Sequence, residues 1–207
     1  MASEEAVPPT RKGQATRERI IAAAAREISS GGVARTRLDE VKAAAGVSSS
    51  QLYHYFADKH ALVLAVIDHQ TEMILGSQQP LFNHLDGIAG LRAWADMLVA
   101  MQQQRECRGG CPIGSIGAEL AEAAQQARAG AAQGLRRWEH AIRDGLRSMH
   151  ARGELTGDPD RLALSLFAAL QGGFLLSQIY RDPTPMAVSL HTTIDYIESL
   201  TQQLGPE

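Results

Sequence analysis

A group of hydrogen-bonding side chains follows the tripeptide Gly46-Val47-Ser48. Glycine permits a tight reversal, valine offers an apolar contact just after it, and serine caps helix N-termini well. On a short helix begun by Ser48, Leu52 and Phe56 share one face because they are four residues apart. The opposite face carries polar groups that suit base edges and phosphate oxygens, but any solvated helix face has the same spacing. These groups are Ser49, Ser50, Gln51, His54 and Tyr55.

The segments around this helix are also predicted to be helical. A first helix is expected from Thr16 to Ser29, ended by Gly31-Gly32. Thr36 is expected to cap a second helix that stops at Gly46, with Asp39 in the capping-box position. A long helix containing Leu62 and Met73 follows and is expected to fray by Gly76 or Pro80. Apolar periodicity predicts further helices near 87–106, 114–124, 124–152, 159–181 and 185–203. No run alternates with a period of two, so the predicted fold class is all-α.

Composition and charge place limits on the class of protein. Apolar residues make up 44% of the 207 residues, enough for a sizeable core. Residues 11–60 carry nine Lys and Arg against five Asp and Glu, giving +4, whereas residues 61–207 carry eleven against sixteen, giving −5. A basic front on an acidic body suits a protein that approaches phosphates at one end. The N-terminus lacks the apolar core of a signal peptide and no stretch matches a membrane span, so the expected location is the cytoplasm, without membrane contact.

The sequence gives no indication of an enzyme, a metal site or a cofactor. The seven histidines lack zinc-ligand spacing, and Gly114-Ser115-Ile116-Gly117 is not a nucleophile elbow. No catalytic residue, metal ligand or cofactor is therefore predicted. Cys107 and Cys111 leave two interpretations open: a thiol switch, or a small buried residue that fits the turn at Cys111.

The stretch from Thr16 to Leu62 resembles the DNA-binding domain of the TetR family. Its most specific part is Gly46-Val47-Ser48 followed by Leu52-Tyr53-His54-Tyr55-Phe56, then Lys59 and Leu62. The resemblance implies that base edges in the major groove are met by Ser49, Ser50, Gln51 and His54. It implies phosphate contacts from Thr36, Arg37, Ser48, Tyr53, Tyr55 and Lys59. Tyr53 has an alternative interpretation as a helix-packing aromatic. Many members have Lys or Arg where this chain has Ser49, so the operator sequence cannot be transferred from relatives.

The remainder of the chain is similar to the ligand and dimer domain of the same family. Gly110-Cys111-Pro112-Ile113-Gly114-Ser115 and Ala118-Glu119-Leu120 resemble the LmrA/YxaF-like subgroup. The expected division is a disordered arm at 1–13, a helix-turn-helix domain at 14–60 and a ligand-binding and dimerisation domain at 61–207. The family pairs its last two helices with their copies. The apolar positions noted there are Leu162, Leu166, Ala169, Leu170, Phe174, Val188, Ile194, Ile197 and Leu200. Gly172-Gly173 implies a close backbone approach to a facing helix or a ligand.

An effector cavity is expected between the fourth and eighth helices. Its candidate lining residues, each of which also fits a plain core, are Phe82, Trp94, Met97, Met101, Trp138, Phe167 and Phe174, with Gln103 or His140 as polar anchors. The sequence thus predicts a homodimeric, ligand-responsive transcriptional regulator. It would repress by binding a palindromic operator in double-stranded DNA and be released by a small, largely apolar effector. The alternative is a small-molecule or thiol-redox sensing module with an activating or no DNA role.

Overall fold

The structure, a computed structural model, describes residues 10–201. Within that range every secondary-structure element longer than an isolated bridge is a helix. An isolated bridge joins Leu155 to Thr201. The all-α prediction is therefore confirmed. In chain order the helices are α1 (Arg11–Arg35), α2 (Leu38–Ala45), α3 (Ser49–Tyr55), α4 (Lys59–Phe82), α5 (Ile88–Gln104), α6 (Pro112–Leu120), α7 (Gln125–Ala151), α8 (Pro159–Tyr180) and α9 (Thr184–Ser199).

Helix α1 begins earlier than its sequence pattern predicts. Its cap is Thr10, whose hydroxyl oxygen accepts a hydrogen bond from the Gly13 N–H at 3.2 Å. Thr16 is buried within the helix instead, and its hydroxyl donates to the Lys12 carbonyl. Residues 11–13 are thus helical, which corrects their assignment to a disordered arm. The rest of that predicted arm, residues 1–9, lies outside the described residues.

The junction between α1 and α2 also differs from the prediction. Gly32 interrupts α1 with a φ of 79°, so the glycine pair does mark a break. The predicted cap and capping box at Thr36 and Asp39 are wrong. Arg37 is the N-cap, and its backbone N–H donates to the Glu40 carboxylate at 3.2 Å. Thr36 precedes the cap and is buried, and its hydroxyl donates to the Gly32 carbonyl at 2.8 Å.

Two hydrophobic clusters fill the fold, and α4 contributes to both. Buried residues of α1–α3 pack with the first half of α4 and with Ile116 and Ala127, which come from α6 and α7. The larger cluster is built mainly from α5 and α7–α9 around Trp94 and Trp138. Helix α4 continues through Gly76 and Pro80 to Phe82, so the predicted fraying there is wrong. This long helix joins the clusters without a break.

Helices α8 and α9 pack closely because of one of the paired glycines. A Cβ atom on Gly173 would lie 2.8 Å from the Met186 Cα, whereas one on Gly172 would meet nothing within 4 Å. The close approach predicted from this pair therefore exists, at Gly173 and toward α9. Gly172 lies on the exposed side of α8.

Helix α8 is apolar enough to bear on the membrane question. Among residues 10–201 it is the one helix whose length and composition would allow it to cross a membrane, with a mean hydropathy of 1.6. The expectation that no stretch would match a membrane span is therefore corrected, because α8 meets the length and hydropathy criteria. However, 44% of this window is buried inside the fold. Core helices of folded domains meet the same criterion, so the match is weak evidence for a span.

Candidate nucleic-acid interface and effector cavity

Helix α3 is held in place by reciprocal capping at its N-terminus. The Ser48 hydroxyl oxygen accepts from the Gln51 backbone N–H at 3.2 Å, and the Ser48 N–H donates to Gln51 Oε1 at 2.9 Å. The chain reaches this cap through Gly46, whose φ of 63° ends α2 in the left-handed region. Leu52 and Phe56 are buried as predicted, at 1% and 3% exposure. The helix is therefore fixed on one side only.

The free side of α3 presents the predicted polar set to solvent. Ser49, Ser50, Gln51 and His54 are all exposed. Gln51 is restricted, however, because its side-chain oxygen already accepts the Ser48 N–H. A bidentate contact with adenine needs both that oxygen and the amide nitrogen. In this conformation Nε2 is free to donate, whereas Oε1 has one remaining lone pair and its direction is fixed by the cap, so a bidentate contact is restricted to the orientation that the cap permits.

The aromatic and basic residues predicted to hold phosphates surround this face. Tyr53 is 56% exposed, so within this chain it is not a packing aromatic. Tyr55 is half-buried, with its ring edge-on to His54 at 4.9 Å between centroids. Arg37 is exposed at the start of α2, and Lys59 Nζ lies 3.4 Å from the Ala34 carbonyl. Positive charge is thus present at the N-cap of α2 and at the start of α4, the helices that precede and follow α3 in the chain.

Thr36 and Lys42 change the set of residues predicted to contact phosphates. Thr36 does not join it, because its buried hydroxyl is bonded to the Gly32 carbonyl. Lys42 was missed by the sequence analysis: its Nζ donates to Ser49 Oγ at 3.0 Å and to Asp39 at 2.7 Å. It brings a cation from α2 to the first residue of α3, where many members of the resembled family carry Lys or Arg. The sequence signal for this role was Ser49 itself, because a position without its own basic side chain leaves room for a cation from a neighbouring helix.

A cavity of about 750 Å³ lies among α1, α4, α5, α7 and α8. Three predicted residues, Met101, Trp138 and Phe174, line it. The sequence analysis missed the wall from α1, which contains Ala22, Ala25, Arg26 and Ser29. These mostly small residues repeat at helical spacing, a signal of space beside the helix.

The other six predicted lining residues lie elsewhere. Trp94 is fully buried and Phe167 is buried edge-on to Trp138, because both fill the larger cluster. Phe82 and Met97 pack half-buried against that cluster. Neither proposed polar anchor lines the cavity. Gln103 is exposed on α5, and His140 is half-buried beside Glu139, with Nε2 3.6 Å from its carboxylate.

The loop that joins α5 to α6 forms part of the cavity rim. Glu106 and Cys107 have φ values of 51° and 53°, and Gly109 and Gly110 also have positive φ. The Cys107 carbonyl accepts a hydrogen bond from Arg181 Nη1 at 3.1 Å, which ties the loop to the end of α8. The loop therefore combines uncommon backbone geometry with a direct position at the cavity.

Both cysteines are free thiols in buried positions. Cys111 is the N-cap of α6, and its Sγ accepts from the Gly114 N–H at 3.3 Å. Burial raises the pKa of the Cys111 thiol, and burial also raises the pKa of Cys107. These properties favour the interpretation of Cys111 as a buried turn residue over a thiol switch, because the thiolate is the reactive form.

We expect both thiols to react slowly in the folded protein. At neutral pH, Ellman's reagent should modify Cys107 and Cys111 at least about tenfold more slowly than in the urea-unfolded chain, because burial and a raised pKa both reduce accessible thiolate. The measurement is absorbance at the same pH with and without urea. A thiol that reacts in the folded protein as fast as free cysteine would support a thiol switch and contradict this prediction.

A carboxylate from α6 connects the cavity region to the helix-turn-helix. Glu119 accepts two backbone hydrogen bonds of 2.7 Å, from the N–H groups of Val33 and Ala34. These residues follow the break at Gly32 and precede α2. Two charge-assisted bonds from one carboxylate make a specific link between α6 and the base of the helix-turn-helix. We call this link the Glu119 clamp.

Comparison with known proteins agrees with this architecture. Residues 20–66 match the model for bacterial regulatory proteins of the tetR family, and residues 87–193 match the tetracyclin repressor-like C-terminal domain. The transcriptional regulator AcuR of Cereibacter sphaeroides is 27% identical over 188 residues, covering 89% of this chain and 86% of AcuR. The regulator YxaF of Bacillus subtilis is 22% identical over 173 residues, covering 83% of this chain and 89% of YxaF.

Solved structures show the same fold. A TetR transcriptional regulator from Chloroflexus aurantiacus superposes with a TM-score of 0.79 at 29% identity, covering 93% of this chain and 98% of that one. The regulatory protein TetR from Rhodobacter sphaeroides gives 0.78 at 25% identity, with coverages of 87% and 98%.

The exposed, capped α3 following a glycine reversal, together with a cavity-bearing helical body, defines a ligand-responsive helix-turn-helix transcriptional regulator. It is not an enzyme. The chain belongs to the TetR family. YxaF is one of several relatives and is less similar to this chain than AcuR, so the predicted LmrA/YxaF-like subgroup has only loose support.

Proposed function

We propose that this regulator is a repressor that binds a palindromic operator as a homodimer in the cytoplasm and is released by a small molecule in the cavity. The observation that carries the proposal is the presentation of α3, which is capped at Ser48, anchored by Leu52 and Phe56, and free on its polar side. The functional division proposed is 14–60 for DNA and 61–207 for effector and dimer contacts, with α4 shared between them.

The proposed DNA contacts fall into two groups. Ser49, Ser50, His54 and the Gln51 amide nitrogen face solvent together and can meet base edges. Phosphate contacts are assigned to Arg37, Ser48, Tyr53, Tyr55 and Lys59, with Lys42 added and Thr36 removed. Phosphate contacts fix register and base contacts supply sequence preference.

The homodimer proposal is supported by an exposed apolar surface on α8 and α9. Most apolar positions noted from the sequence are core residues, and of that set only Val188 is strongly exposed. On the exposed side of α8, a Cβ atom on Gly172 would meet nothing within 4 Å, and this open space allows another helix to approach closely. We call this surface the dimer face, and its exposed members are Leu164, Leu175, Leu176, Ile179, Tyr180, Val188 and Tyr196.

Release by a ligand is supported by the construction of the cavity. Helix α1 belongs to the helix-turn-helix and also forms one cavity wall through residues such as Ala25 and Arg26. A molecule in the cavity therefore contacts both halves of the protomer. The Glu119 clamp offers a second connection, from α6 to the segment before α2. Movement of either element would change the orientation of α3 and the separation of the two recognition helices, which must match the spacing of successive DNA turns.

The test of the proposed function is fluorescence anisotropy with the DNA upstream of the protein's own gene. We expect tight binding that weakens steeply as salt increases, because phosphate contacts release counterions. The double variant Tyr53→Ala with Lys59→Ala should weaken binding roughly tenfold on every DNA sequence. The matched control is Arg136→Gln, which removes an exposed charge on α7. Loose binding without sequence preference would instead support a sensing module without a DNA role.

Base readout is tested on the same DNA. His54→Ala should change the preferred operator rather than weaken all sequences equally. Gln51→Ala removes half of the α3 cap as well, so its thermal stability must be measured in parallel. If His54→Ala and Gln51→Ala both left affinity and preference unchanged, the proposed recognition face would be wrong.

A further inference from the structure

The charged residues that line the cavity are all cations. Arg26 from α1 and Arg105 and Arg108 from the α5–α6 loop line it and are exposed. Within the described part of the chain, no Asp or Glu side chain lines this cavity. The protomer outside its DNA-binding end is acidic overall, so this local excess of positive charge runs against the composition of the body. Such a lining favours an anion over a neutral or cationic guest.

Two of these arginines have free guanidinium groups. Neither Arg26 nor Arg105 forms an ion pair with any residue between 10 and 201. Arg108 contacts Glu106 at 3.2 Å, but both side chains are more than two-thirds exposed, so this pair contributes little. A planar guanidinium can hold a carboxylate through two parallel hydrogen bonds.

The buried part of the cavity offers hydrogen-bond donors. Trp138 is 2% exposed, and its indole N–H has no partner among the residues described. An indole nitrogen can only donate. The oxygen of buried Gln78 already accepts from Trp94 Nε1 at 2.8 Å, which leaves its amide group as a donor. The other polar side chains that line the cavity, Ser29, His69, Gln70 and Ser77, are exposed or half-buried and can donate or accept hydrogen bonds.

Apolar side chains also line the cavity. Ile74, Leu98, Met101 and Phe174 contribute to this surface. A cavity of about 750 Å³ falls within the size range of sites for drug-sized ligands. The shape and chemistry together describe a guest with an apolar body, one charged end and an acceptor within the body.

We infer that the effector is an amphipathic organic anion whose acidic group, such as a carboxylate, is held by Arg26 and Arg105 while its apolar body lies along α4, α5 and α8. An acceptor on that body would pair with the Trp138 N–H. This inference rests on the proposed function and refines the expectation of a largely apolar effector. Because Arg26 is on α1, the charged end of the ligand would contact the DNA-binding half itself.

The experiment uses intrinsic fluorescence of the full-length protein, which has two tryptophans, one of them in the cavity wall. The probes are two matched series: nonanoate, nonanamide and nonylamine, and 3-phenylpropanoate with its amide and amine. Each carboxylate should bind roughly tenfold or more tightly than its amide, and each amine should bind more weakly still.

A double variant identifies the residues responsible. In Arg26→Gln with Arg105→Gln, the preference for carboxylate over amide should fall to about one, because the charge-assisted contacts are lost. The matched control, Arg128→Gln with Arg136→Gln, removes two exposed α7 charges and should keep the preference. Thermal unfolding by circular dichroism checks that both proteins remain folded.

Operator anisotropy on the same preparations distinguishes a failure of the ligand inference from a failure of the proposed function. If the protein binds its operator but carboxylates show no advantage, or no probe binds at millimolar concentration, the inference is overturned and the proposed function stands. An advantage that persists in Arg26→Gln with Arg105→Gln also overturns it. If no preparation binds the operator, the proposed function itself fails, whatever the ligand result.

Discussion

Replacing Ile179 by glutamate should give a folded monomer that binds the operator at least about a hundredfold more weakly than the native protein. Ile179 is 62% exposed on α8, one turn after Leu175 and Leu176 in the same apolar stripe. A charge there would be buried without a partner in a helix–helix interface, which is costly. The large effect on DNA follows because a dimer binds its second half-site intramolecularly, and a monomer loses that advantage.

The measurements are sedimentation velocity for oligomeric state and anisotropy for operator affinity. Ala100→Glu is the control, because it places the same charge on an exposed position of α5 outside the dimer face. It should remain dimeric with native affinity. If Ile179→Glu stayed a dimer at low micromolar concentration, the dimer face would have been assigned to the wrong surface.

Removal of the Glu119 clamp should free two backbone amides and loosen the connection between α6 and the helix-turn-helix. In Glu119→Ala, the N–H groups of Val33 and Ala34 lose the acceptor that holds them at 2.7 Å. Their hydrogen exchange should accelerate at least about tenfold, because protection depends on that bond. Glu119→Gln keeps one carbonyl oxygen and should give an intermediate result. Mass spectrometry of a peptide covering residues 29–37 is the measurement, because the first two residues of a peptide lose their deuterium and Val33 and Ala34 must lie further in.

Glu122→Ala is the matched control for the clamp, because this exposed carboxylate is one turn further along and accepts no hydrogen bond from other residues between 10 and 201. It should leave exchange at Val33 and Ala34 unchanged. Operator affinity should fall in Glu119→Ala without a change in dimerisation, since the dimer face is untouched. Unchanged exchange in Glu119→Ala would show that the clamp does not hold the segment in solution.

The recognition helix could be predicted because its signals are local. Gly46, the Ser48 cap and the four-residue spacing of Leu52 and Phe56 each specify backbone or burial within one or two turns. The start of α1 was harder because Thr10 and Thr16 are equally good caps by residue type. Packing against the rest of the fold buries Thr16 and leaves Thr10 to cap. Tertiary contacts decide such a choice, and the sequence pattern does not contain them.

The cavity shows where prediction from sequence ends. Trp94 and Trp138 are both buried aromatic residues on amphipathic helices, yet only Trp138 lines the cavity. Their difference depends on where α1, α4 and α7 diverge, which no local spacing reveals. The role of Arg26 was equally hard to predict, because a charged residue on a surface helix is normally solvated. The Glu119 clamp joins residues 85 and 86 positions apart and leaves no local pattern.

The two left-handed, non-glycine residues in the α5–α6 loop have a thermodynamic consequence for any guest. Holding Glu106 and Cys107 with positive φ costs about 1–2 kcal/mol for each residue relative to right-handed backbone. A molecule seated against Arg105 and Arg108 that allowed either residue to relax would recover part of that energy as affinity. The α5–α6 loop therefore stores conformational energy, and the affinity for a guest can depend on a change in this loop as well as on contacts with the guest.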